Sequence, residues 1–182
     1  IDYESDAGLV AALQSPARNV RTAAVNKLVA RGNAVFPQLQ QLFESAENPY
    51  VQVRPIWVMA QLGPKGQGYV RNLLNSRNPQ HRLVAYRALR FAQPAGLIPM
   101  ANKMAADKDP SVRREVALSL RDVPYAKAKR ALAQVIDGYD GKNRWYLEAI
   151  GAASVGLILR PGTSRDPATW GPRSSIKLTT QH

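Results

Sequence analysis

Residues Asp109-Pro110-Ser111-Val112-Arg113-Arg114-Glu115-Val116-Ala117-Leu118-Ser119-Leu120 decide the fold. Val112, Val116 and Leu120 stand four apart, which puts them on one face of a helix. Asp109 offers a carboxylate to the free N–H groups of the first turn. Pro110 takes the first helical position, where a missing N–H costs nothing. The stretch therefore carries its own start signal, an apolar stripe and an arginine one residue past the first stripe position.

The same device recurs along the chain. Arg21, Arg54, Arg82, Arg113 and Arg144 are spaced by 33, 28, 31 and 31 residues. Pro16, Pro49, Pro79 and Pro110 precede the first four, and Gly141 stands in the equivalent place before the fifth. Asn48-Pro49 and Asn78-Pro79 repeat the cap-and-proline start. Val20, Ala24 and Leu28 form the stripe of the first unit, Val53, Ile56, Trp57 and Ala60 that of the second, and Ala85, Ala88, Leu89 and Ala92 that of the third. Short breakers then introduce a second helix in each unit: Gly32-Asn33, Gly63-Pro64, Gln93-Pro94 and Val123-Pro124. The second helices are expected over 34–45, 66–76, 95–106 and 125–137. Residues 5–14 read as the second helix of a truncated preceding unit, and 141–153 as the start of a fifth.

A helical hairpin of about 30 residues cannot bury its apolar face alone, so stacked copies share a core and each touches its neighbours. The expected architecture is all-α: a right-handed α-solenoid of about five hairpins over 1–153, with the second helices lining its concave side. Residues 154–182 form an irregular tail. Of the 23 residues from Arg160 to His182, 12 are Pro, Gly, Ser or Thr, a loop-forming composition. That tail reads either as a cap packed back through Trp170, Ile176 and Leu178 or as a segment foreign to the gene. The chain opens on Ile1, as a processed or excised piece would.

The repeat resembles HEAT-like repeats over roughly 16–153, and the segment from Asp107 to Leu120 carries that family's Asp-Pro-x-Val-Arg pattern. A narrower stretch, Tyr139-Asp140-Gly141-Lys142-Asn143-Arg144-Trp145-Tyr146-Leu147-Glu148-Ala149-Ile150, resembles the closing repeats of the HEAT segment in large bacterial membrane-bound dehydrogenases with a haem-binding domain. This narrower likeness, over about 100–153, implies a spacer or docking module of an exported or periplasmic protein. The haem motif Cys-x-x-Cys-His has no counterpart in a chain without cysteine.

Composition narrows the chemistry. The absence of cysteine removes disulfides, thiolate metal sites and thiol nucleophiles. Two histidines, His81 and His182, give no ligand spacing, and His81 stands where other units have valine. Gly63-Pro64-Lys65-Gly66-Gln67-Gly68 lacks the Lys-Ser/Thr ending of a phosphate loop and reads as an interhelix turn. No nucleophile–base pair emerges, so neither an enzyme nor a cofactor is expected. No apolar run reaches the roughly 20 residues of a membrane-spanning helix.

Charge is the remaining signal. Lys and Arg total 25 against 13 acids, a net charge of +12. No acid occurs between Glu47 and Asp107, a stretch that carries Arg54, Lys65, Arg71, Arg77, Arg82, Arg87, Arg90 and Lys103. The recurring arginines are expected to hold repeats together, with Asp107, Asp109, Asp137 and Asp140 as partners. The binding candidates are Arg71, Lys103, Lys127 and Arg130 on second helices. The first expectation is a non-catalytic scaffold that docks another protein or domain through an acidic surface. The alternative is nucleic acid or another polyanion held by residues 48–106. Such a helical-repeat fold also resembles a class of alkylpurine DNA glycosylases, but catalysis there would need an acid beside aromatics, and this stretch has none. Tyr69, Tyr86, Phe91, Trp57 and Trp145 are candidates for base stacking, although at helical spacing such rings are more often core.

Overall fold

The starts of the helices follow from their caps. The Asn48 side chain accepts hydrogen bonds from the N–H groups of Tyr50 and Val51, that of Asn78 from Gln80, and that of Asp109 from Ser111. Each cap satisfies backbone donors that the first turn leaves free, an effect of about 1 kcal/mol. The computed structural model describes residues 1–158, and the side chains of 1–154. The expectations for 159–182, including a cap through Trp170, Ile176 and Leu178, lie outside the described residues.

Eleven helices are present among the described residues. The first helices of the repeats are α2 (Arg18–Arg31), α4 (Pro49–Gln52) continued by α5 (Arg54–Met59), α7 (Pro79–Ala92), α9 (Pro110–Ser119) and α11 (Arg144–Ile158). The second helices are α1 (Asp6–Ala12), α3 (Phe36–Ser45), α6 (Pro64–Leu73), α8 (Leu97–Met104) and α10 (Tyr125–Asp137). Consecutive first helices pack on one another from α2 to α11, and α8 packs on α10. Between the rows runs one continuous apolar cluster that extends from Leu9 to Ala153. This is an all-α solenoid of stacked hairpins: four complete hairpins, with a lone second helix before them and a lone first helix after.

Two details differ from the periodic reading. The first helix of the second unit is broken at Val53, because Pro55 has no N–H to donate and its ring crowds the preceding turn. The last described helix extends through Ile158, past the boundary set at Ala153, because its residues 154–158 carry no proline to break it.

Glycine marks two turns and one close approach between the rows. Gly32 and Gly63 adopt φ of 66° and 76°, a region that other L-residues rarely occupy, and they turn the chain into α3 and α6. At Gly66, a Cβ would lie 2.1 Å from the Met59 carbonyl oxygen. The phosphate-loop-like glycines are therefore the turn and first coils of a packed helix.

Candidate functional site

The recurring arginines do not all share one role. Arg82 is buried, and its Nε and Nη2 donate to the Asp107 carboxylate at 2.7 Å each, while Nη1 donates to the carbonyls of Ser76 and Arg77. Arg113 donates to the carbonyls of Asp107 and Gly138 and to the Tyr146 hydroxyl. These two tie the start of a repeat to its end. Arg144 does not: its side chain is 84% exposed and pairs with Glu148 one turn along the same helix. Tyr146, two places along, is buried instead. Of the four acids expected as partners, Asp107 alone receives one of these guanidiniums among the described residues. Asp109 is spent on capping α9.

Asp107 itself is held as an anion. Burial pushes its carboxyl up, but hydrogen bonds from Arg82 and the Asp109 N–H, with the charges of Arg82 and Arg113, bring it below the ordinary carboxylate value. The same partner raises the Arg82 guanidinium above its usual value against the effect of burial.

The acid-free stretch does not make one basic face. Arg87 and Arg90 pair with Glu115 at 2.5 and 3.3 Å, across α7 and α9. Glu115 is 5% exposed, and in the repeat register it stands where Ile56, Val84 and Tyr146 fill the core. That register was the available signal for a buried charge. Lys65 lies over the Phe36 ring, 4.8 Å from its centroid. His81 is half-buried against Phe43, bonds Gln52 Oε1 through Nε2 at 3.0 Å, and is pushed toward its neutral form by burial.

The second-helix candidates separate into two pairs. Arg71 and Lys103 line a groove of about 360 Å³ with Leu74, Leu89, Pro99 and Met100. Arg71 donates to Gln93, and Lys103 donates to Asn75 at 2.8 Å. Lys127 and Arg130 are exposed on α10 and do not line that groove.

A larger cleft, about 650 Å³, opens on the first-helix side. It is lined by Leu13, by Arg18, Arg21, Thr22 and Val25 of α2, by Arg54, Trp57 and Gln61 of and just after α5, and by Phe91 of α7. No acidic side chain lines it. Arg21 and Arg54 both donate through Nη1 to the Ser15 carbonyl, at 2.9 and 3.2 Å, and further to Pro16 and Leu13 respectively. Two guanidiniums thus sit side by side, each with N–H donors to spare. Burial, with the Arg21 charge, pulls the Arg54 guanidinium below its ordinary value, although it stays charged. Arg18 has no acid partner among the described residues. Trp57 and Phe91 meet edge-on, with centroids 6.4 Å apart and planes at 67°.

The repeat register points Arg21 and Arg54 chiefly to a repeat-holding role, with Arg54 also in the acid-free stretch 48–106, and it does not single out Arg18. Phe91 was a stacking candidate with core as the commoner outcome; it is 66% exposed, because it falls off the Ala85–Ala88–Leu89–Ala92 stripe. Tyr86 is core, and Tyr69 packs edge-on against Phe36 and Phe43. Trp145 is exposed while its neighbour Tyr146 is buried.

The family comparison agrees with the stacked hairpins. Residues 69–151 match the family model for HEAT repeats. No curated protein matches the chain. A solved structure, AlkD2 from Streptococcus mutans, is 19% identical to it over 85% of this chain and 82% of that one, with a TM-score of 0.49. None of these findings supports the narrower likeness of residues 100–153 to the membrane-bound dehydrogenases, on which an exported docking role rested. Among the described residues no helix is long and apolar enough to cross a membrane.

Proposed function

We propose that this HEAT-repeat solenoid is a non-catalytic nucleic-acid-binding module that works through its first-helix cleft. One observation carries the reading: Arg18, Arg21 and Arg54 stand together beside two aromatic rings with no acid among the lining residues. Arg82, Arg87 and Arg90 are each paired with a carboxylate, and Arg113 lies alone among its carbonyls, whereas Arg21 and Arg54 stand together with no acid beside them. Two guanidiniums that share a single carbonyl repel one another, and a phosphate between them relieves that repulsion while accepting their free N–H groups.

The test is a titration with labelled DNA at about 50 and 200 mM salt, where binding through phosphates loses affinity steeply and linearly on a log–log plot. Arg18→Glu and Arg54→Gln should weaken binding and lower the salt slope by about one unit for each phosphate that is no longer neutralised. Binding that ignores both salt and these substitutions would exclude the cleft.

The groove beside Arg71 and Lys103 favours a second reading, a protein-docking surface. Two cations flank the apolar side chains of Leu74, Pro99 and Met100, which suits an acidic segment with apolar anchors. Charge reversal at Arg71 and Lys103 should then abolish capture of such a segment and leave DNA binding intact.

A further inference from the structure

We infer that the first-helix cleft takes an unpaired strand rather than a duplex, with phosphates on Arg18, Arg21 and Arg54 and a base in the corner between Trp57 and Phe91. The inference rests on the nucleic-acid reading above and narrows it. A duplex offers its charge on a convex rod and hides the flat faces of its bases. A protein built for it needs cations on a surface, and rings set among them find a base face only where the duplex is unstacked. Here the rings are part of the same concavity as the arginines.

The geometry of the pair matters. Planes at 67° leave an open corner, in which a base laid along one ring meets the edge of the other. Phe91 is 66% exposed, a large apolar surface left in water at the cleft edge. The volume, about 650 Å³, falls in the range of sites that enclose small ligands, about 300–1,000 Å³. Arg18 and Arg21 are one helical turn apart on α2, and Arg54 and Trp57 one turn apart on α5, so charge and ring line the same cleft.

The neutral lining groups give little sequence discrimination. Thr22 Oγ1 donates to the Arg18 carbonyl, and Gln61 Nε2 to that of Trp57. Recognition therefore runs through stacking and charge, which every base and every phosphate can satisfy.

The experiment compares four ligands of equal length on the full chain by fluorescence anisotropy at one salt concentration: oligo-dT, an abasic strand, a DNA duplex and poly-glutamate. Oligo-dT should bind about tenfold or more tightly than the abasic strand, which has the same phosphates and no rings to stack. Phe91→Ala should erase most of that difference, and Arg18→Glu should weaken both strands. Phe91 is largely outside the core, and circular dichroism checks that the variant is folded. Equal affinity for dT and the abasic strand, or tighter binding of the duplex, overturns the inference and leaves nucleic-acid binding standing. Poly-glutamate binding as tightly as dT overturns it in favour of an acidic peptide. No binding of any nucleic acid overturns both readings.

Discussion

Asp107 shows how much one residue can hold. Its carboxylate takes two hydrogen bonds from Arg82, its side chain also receives the Asp109 N–H, and its own carbonyl receives Arg113. Both side chains of the ion pair are nearly buried, at 6% and 7% exposure. Breaking such a pair strands a charge, so Asp107→Asn should cost about 3 kcal/mol in urea unfolding at neutral pH. The folded pKa is depressed, so the contribution is complete above the ordinary value of 3.8 and fades as pH falls through the lower folded value. The gap between wild type and Asp107→Asn should narrow only in that acid range; equal stabilities at pH 7 would show that the pair contributes nothing. The sequence offered four acids as partners for the arginines, and nothing in spacing distinguished Asp107 from Asp109, Asp137 or Asp140. The choice depends on loop geometry, which periodicity does not encode.

The helices themselves were largely legible. Caps, prolines and apolar stripes are local signals, and local signals place helix starts, as Asn48, Asn78 and Asp109 do. The break at Val53 was visible in principle, since Pro55 lies one residue past Arg54 in an otherwise helical run. The close approach of α6 to α5 was not, because a glycine in a turn-like stretch gives no sign of what it touches. Gly66→Ala tests that approach. A methyl group 2.1 Å from the Met59 carbonyl forces the two helices apart, so the variant should lose about 2 kcal/mol. Gly68 has open space around the same position and serves as the control: Gly68→Ala should be neutral or slightly stabilising. Thermal melts of the two variants side by side separate packing from propensity.

At the scale of the whole molecule, the stack was written in the 31-residue register, but the cleft was not. Arg18, Arg21, Arg54, Trp57 and Phe91 come from three helices, and three of these five share no repeat position. A surface assembled across units breaks the repeat rule that reveals the units. Counting charge along the chain also misled in one respect: Glu115, outside the acid-free stretch, neutralises two of its arginines. Glu115→Gln should therefore destabilise the α7–α9 junction and make unfolding by urea less cooperative, as neighbours in a one-dimensional stack uncouple. A single sharp transition, unchanged in slope, would argue against that coupling. The arginine clamps carry a further consequence. Arg82 joins Ser76 to Asp107, and Arg113 joins Asp107 to Gly138, so consecutive repeats share a residue as links of a chain share a joint. Tension applied at the two ends passes from one clasp to the next through Asp107. The molecule should lengthen under load by releasing one loop at a time, and recoil as each clasp closes again.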